Sequence, residues 1–168
     1  MNDDLNIAAC IDQLPSRKEY LADKVDRIAT TRHEAVEYAT MCAEESRHIW
    51  DYYMPDDHSI AEALDTLRRW LEDQSLDNLI RIDTAHAKVH RACARADAAG
   101  NTPAAYMANV VWYATGAAGH QCFNSYALQA FICAYKAKQE HAVFYAIITG
   151  KSLVLTNACP SPIKVETV

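Results

Sequence analysis

The 38 residues from 98 to 135 contain no Asp, Glu, Lys or Arg, and this restricts the fold more tightly than any other feature of the chain. An uncharged stretch of that length belongs in a core, in an interface or in a membrane. Asn109, His120, Gln121, Asn124 and Gln129 interrupt it, so no 18-residue run is free of amide or imidazole groups and a membrane span is not expected. The expectation is two central helices buried on most sides. A second reading makes 98–135 a subunit interface that joins a homodimer.

The rest of the chain supports helices around that core. A length of 168 residues suits one domain, and four glycines with five prolines leave little material for a turn-rich β fold. Three capping-box patterns, Ser16-Arg-Lys-Glu19, Thr31-Arg-His-Glu34 and Ser59-Ile-Ala-Glu62, place helix starts near 17, 32 and 60. Apolar residues recur at helical spacing through Ala35, Cys42, Ile49 and Tyr53, and again through Ile60, Leu64, Leu67 and Leu71.

A third such set is Leu79, Ile80, Val89, Cys93 and Ala96, with seven alanines between 85 and 99 that favour helix and close approach. Gly100-Asn101 supplies a left-handed stop, and Thr102-Pro103 restarts the chain. Gly116 and Gly119 predict a bend or boundary, followed by helices at about 120–137 and 141–149. The fold expected is all-α, a single-domain bundle of about six to seven helices, largely antiparallel, over 1–150, with 151–168 as an extended C-terminal tail.

Charge is unevenly distributed. Residues 41–80 hold ten acids against three bases, a balance of -7, while 81–150 hold three acids against six bases, a balance of +3. Sequence-independent nucleic-acid binding needs Lys and Arg on the contact face, so direct nucleic-acid binding is not expected, whereas a basic protein partner is compatible. Aromatic residues beside acids suit such an interface, which singles out Glu44, Glu45, Trp50, Asp51, Tyr52, Tyr53, Asp56 and Asp57 as candidate partner-binding residues.

The sequence contains no phosphate-binding glycine loop, no dinucleotide fingerprint and no nucleophile elbow, so neither a cofactor nor an enzymatic activity is expected. Asp83, His86 and His90 have helix-face spacing compatible with a metal ion, which leaves a metal-dependent helical-bundle enzyme as a minor alternative; the glutamate of a zinc-protease helix is absent, since Ala87 follows His86. His120 and Cys122 are two residues apart and would point to different helix faces. The six cysteines show no metal or disulfide spacing, and the first residues lack a basic-then-apolar leader, so the expected location is the cytoplasm.

From about 33 to 137, the order of features resembles the alanine-rich, all-helical immunity proteins of bacterial polymorphic toxin systems. The resemblance rests on His33-Glu-Ala-Val-Glu-Tyr-Ala-Thr-Met-Cys-Ala-Glu44, Pro55-Asp-Asp57, Ala61-Glu-Ala-Leu64, Arg69-Trp70, Ala85-His86-Ala87, Ala117-Ala-Gly-His120 and Ala134-Tyr-Lys-Ala137. It implies a cytoplasmic, non-enzymatic binder that neutralises a cognate toxin. Phe123, Tyr126, Phe131 and Ile132 are larger than the alanines the family places there, which points to a changed partner. A phage or mobile-element inhibitor of a host defence complex, anti-CRISPR-like or otherwise anti-defence, would share these physical properties, so the partner expected is a toxin or a defence-system component.

Overall fold

The computed structural model describes residues 31–149, 152–154 and 164–166. Five helices lie among them: α1 (Arg32–Tyr53), α2 (Ser59–Glu72), α3 (Leu76–Ala98), α4 (Thr102–Gly119) and α5 (Phe123–Thr149). Beyond α5, in the expected tail, Ser152–Val154 (β1) pairs antiparallel with Lys164–Glu166 (β2).

The helix count is lower than six to seven for two reasons. The start expected near 17 lies outside the described residues, and the helices expected at 120–137 and 141–149 are one helix of 27 residues. Lys138-Gln-Glu-His141 contains no glycine, proline or capping residue that would end it, so α5 propagates through.

Local chemistry explains most of the boundaries. Thr31 and Glu34 form the expected capping box, with Glu34 N–H donating to Thr31 Oγ1 at 3.2 Å and Thr31 N–H to Glu34 Oε2 at 3.0 Å. The box expected at Ser59 does not form, and Ser59 is the first residue of α2. Asp57, two residues ahead, has the shorter reach: its carboxylate accepts the Ser59 N–H at 2.9 Å and the Ser59 hydroxyl as well. Gly100, at φ 72, supplies the left-handed stop between α3 and α4.

The side-chain pairings define the topology. Asp57 meets Arg95 and Glu62 meets Lys88, so α2 and α3 are antiparallel. His86 meets Thr115 and Cys93 meets Ala105 in an antiparallel α3–α4 pair. Tyr38 stacks on Phe131 and Glu45 meets Lys138, so α1 and α5, distant in sequence, run parallel.

Helix α4 occupies the centre, packed by α1, α3 and α5. Ala104, Met107, Ala108, Val110, Val111, Ala114, Ala117 and Ala118 are all fully buried, so this part of the uncharged segment is intramolecular core. The alanines let the surrounding helices approach closely. Gly116 does not bend α4; it is the contact point of the Tyr126 ring, which a Cβ at that position would strike, and the boundary falls at Gly119. No helix among the described residues is long and apolar enough to cross a membrane.

Candidate protein-binding surface

Parallel packing of α1 and α5 gathers six rings at one end of the bundle. His141 contacts His48 at 5.9 Å between centroids, Tyr52 at 5.5 Å, Tyr53 at 5.6 Å and Tyr145 at 6.2 Å, while Tyr53 also meets Tyr52 at 4.9 Å and Phe144 at 5.4 Å. Most of these contacts are edge-to-face, the geometry that favours aromatic pairs. The Tyr53 hydroxyl and His141 Nδ1 are hydrogen-bonded at 3.2 Å.

The cluster reaches solvent through two large side chains, Tyr52 at 53% exposure and Phe144 at 42%. Burial, reinforced by Tyr52, pushes the Tyr53 hydroxyl up to about 12, so it remains a neutral hydrogen-bonding group. Burial pulls His141 below the usual histidine range and the neighbouring His48 pulls it further, so the patch is uncharged at neutral pH.

The sequence-predicted residues have different surroundings. Trp50 is 1% exposed and belongs to the core, its indole donating to the Asp57 carbonyl at 2.7 Å. Tyr52 and Tyr53 form part of the aromatic patch. Glu44 pairs with Arg68 at 2.7 Å, Glu45 with Lys138 at 3.2 Å, Asp51 with Arg47 at 3.3 Å, and Asp57 with Arg95. Asp56 is exposed, and no ion pair among the described residues includes it.

Six of the ten acids in 41–80 are paired inside the molecule, three of them with bases from the second half of the chain, Lys88, Arg95 and Lys138, while no ion pair among the described residues includes Asp56, Glu72, Asp73 or Asp77. Sequence reading omitted His48, His141, Phe144 and Tyr145 from this surface. His48 lies one helical turn before Tyr52, whereas the only signal of His141, Phe144 and Tyr145 was aromatic character near 141–145, and nothing local aligns that segment with residue 53.

The histidines of α3 have a different environment. His86 Nδ1 lies 2.8 Å from Thr115 Oγ1, whose own hydroxyl can donate to the carbonyls of Val111 or Trp112, so the imidazole is held as the donor. Its ring stacks on Trp112 at 4.8 Å. Burial lowers its proton affinity, and the neighbouring His120 lowers it further. No group of three metal-ligating side chains occurs among the described residues, so Asp83, His86 and His90 are not assembled into a metal site.

The thiols of Cys93 and Cys133 are both raised by burial, Cys133 to about 11, so neither is a ready nucleophile. Cys122, beyond His120 in the α4–α5 turn, is exposed. No family model, curated protein or solved structure matches this chain.

Proposed function

We propose that the chain is a non-enzymatic, cytoplasmic inhibitor that works by binding another protein, in the manner of a toxin-neutralising immunity protein, with the aromatic end of α1 and α5 as its contact surface. The observation that carries this reading is the six-ring cluster opening to solvent at Tyr52 and Phe144. Rigid aromatic side chains supply large contact area at low entropic cost and dominate binding hot spots.

The acids beside the cluster favour a basic target. Glu44 and Asp51 already hold bases, but exposed ion pairs contribute roughly 0–1 kcal/mol each, so a target's Arg or Lys can displace Arg68 and Arg47 at small cost, whereas Glu45 stays with the largely buried Lys138. Asp56, exposed and in no ion pair among the described residues, can add a contact in the turn. The resemblance to alanine-rich immunity proteins points in the same direction.

Co-expression with the product of the neighbouring gene tests the proposal. Protection from its toxicity, with a stoichiometric complex lost in Tyr52→Ala/Phe144→Ala, is the expected result. Recovery of a defence-system component in place of a toxin assigns the same inhibitory role to a different target. Full protection by the double variant overturns the assignment of the surface.

A further inference from the structure

The opposite end of α1 carries a second surface with different chemistry. Leu76 and Ile80, one turn apart at the start of α3, are 72% and 56% exposed. Solvent-facing aliphatic side chains spaced this way form a ridge rather than scattered exposure. Ile80 also lines an open cleft of about 220 Å³ between α2 and α3, walled by Ala63, Thr66, Thr84 and Ala85. That volume is below the range of roughly 300–1,000 Å³ typical of small-molecule pockets, so it suits a single inserted side chain.

Charge identifies the type of occupant. Glu72, Asp73 and Asp77 flank the ridge and are exposed, and no ion pair among the described residues includes them, in contrast to Glu44, Glu45, Asp51 and Asp57; Asp73 does accept hydrogen bonds from the Ser75 N–H at 3.2 Å and Asn78 Nδ2 at 3.1 Å. Arg81 at the cleft and Arg69 in the last turn of α2 oppose these three acids, while Lys88 pairs with Glu62. The net bias of the rim is acidic.

The location separates this surface from the aromatic one. His33 Nε2 meets the Leu71 carbonyl at 3.1 Å, which fixes the end of α2, and with it the α2–α3 turn, beside the start of α1. Tyr52 lies 19 residues further along α1, about 28 Å away at 1.5 Å per residue. The cleft runs along α2 and α3 as far as Ser59, which bonds Asp57, so the part away from Tyr52 is the α2–α3 turn and the Ile80 end of the cleft.

We propose that the α2–α3 corner is a second protein-docking surface that takes a basic segment of a partner protein. One apolar side chain of that segment seats in the cleft beside Ile80, and its Lys or Arg side chains face Glu72, Asp73 and Asp77. The proposal is independent of what the aromatic end binds.

The test is titration of the ¹⁵N-labelled full chain with a synthetic amphipathic peptide of about fifteen residues, leucine on one face and lysine on the other, beside a twin carrying glutamate in place of lysine. Expected are amide shifts concentrated between Leu76 and Thr84 with the lysine peptide. Glu72→Lys/Asp77→Lys and Leu76→Ser should each weaken that binding by at least about tenfold, while Tyr52→Ala/Phe144→Ala leaves it unchanged. Glu72 and Leu76 are exposed, so their substitution should leave the melting temperature near wild type, while Asp77→Lys, in the first turn of α3, should lower it modestly without unfolding the chain. If a variant fails to fold, weakening of the wild-type interaction by added salt supplies the same readout. Equal binding of the glutamate peptide, shifts centred on Tyr52, or no shift at millimolar peptide would each overturn the proposal.

Discussion

The indole of Trp50 donates a 2.7 Å hydrogen bond to the backbone carbonyl of Asp57, tying the last turn of α1 to the acidic turn that follows it. Asp57 in turn receives Ser59 and Arg95, so one tryptophan anchors the junction of three helices. Trp50→Phe keeps most of the buried surface but orphans the carbonyl, and should cost about 1–3 kcal/mol in denaturant unfolding. Trp50→Ala adds a cavity and should cost about 3–5 kcal/mol. Equal losses for the two would show that the hydrogen bond contributes everything and packing nothing.

Gly116 is required because of Tyr126. Gly116→Ala drives a methyl group into the ring and should destabilise by about 1–3 kcal/mol, despite the better helix propensity of alanine. Removing the obstacle should reverse the sign of the Gly116→Ala effect: measured in a Tyr126→Ala background, the same substitution should be neutral or stabilising. A cost that persists in that background would locate the strain elsewhere.

Acidification should weaken the fold in two separate ranges. His141 and His86 are held below 6.5 in the folded state, His141 by burial and then His48, His86 by burial and then His120. The unfolded chain therefore binds protons first, and stability present above about pH 6.5 is lost as pH falls below it. Thermal melts between pH 7.5 and 5.5 should show the decline, and His86→Gln/His141→Gln should flatten it. A double variant that retains the full wild-type slope would exclude these two histidines as its source.

Asp57 controls the lower range. Burial acts to raise its carboxyl, but hydrogen bonds from Ser59 and Arg95 outweigh that and hold it below the usual carboxylate range. Its contribution is present above about pH 3.8 and lost as pH falls through the lower folded value. Asp57→Asn should lower stability at neutral pH and remove that part of the acid transition. Chemical denaturation at pH 7 and pH 3 compares the two states directly.

Thr115 is the buried counterpart of this control. It is 1% exposed and pairs with His86 Nδ1, so Thr115→Val should remove that partner, leave His86 its hydrogen bond to the Trp112 backbone, and cost about 1 kcal/mol. NMR titration of the His86 ring should report the changed environment, and an unaltered titration would show that the contact does not set its protonation.

Much of the helical framework was legible in the chain. The Thr31–Glu34 box and Gly100 act through neighbours a few residues away, and each boundary they mark lies where local chemistry places it. Where local reasoning failed, two local solutions competed. Ser59 and Asp57 could both cap α2, and the shorter reach of the carboxylate prevailed; residues 138–141 could bend or continue, and without a breaker they continue.

The candidate surfaces depended on contacts that no local pattern encodes. Sequence determined that residues 41–80 are acidic and that tyrosines stand beside those acids. Tertiary structure decided that Glu45 meets Lys138, 93 positions away, and that His141 and Phe144 complete the ring cluster around Tyr53. It also decided that Trp50 is core, while Leu76 and Ile80 remain outside. The physical reason is range: capping and helix periodicity are set within one or two turns of chain, whereas burial and charge pairing depend on which distant helices pack together.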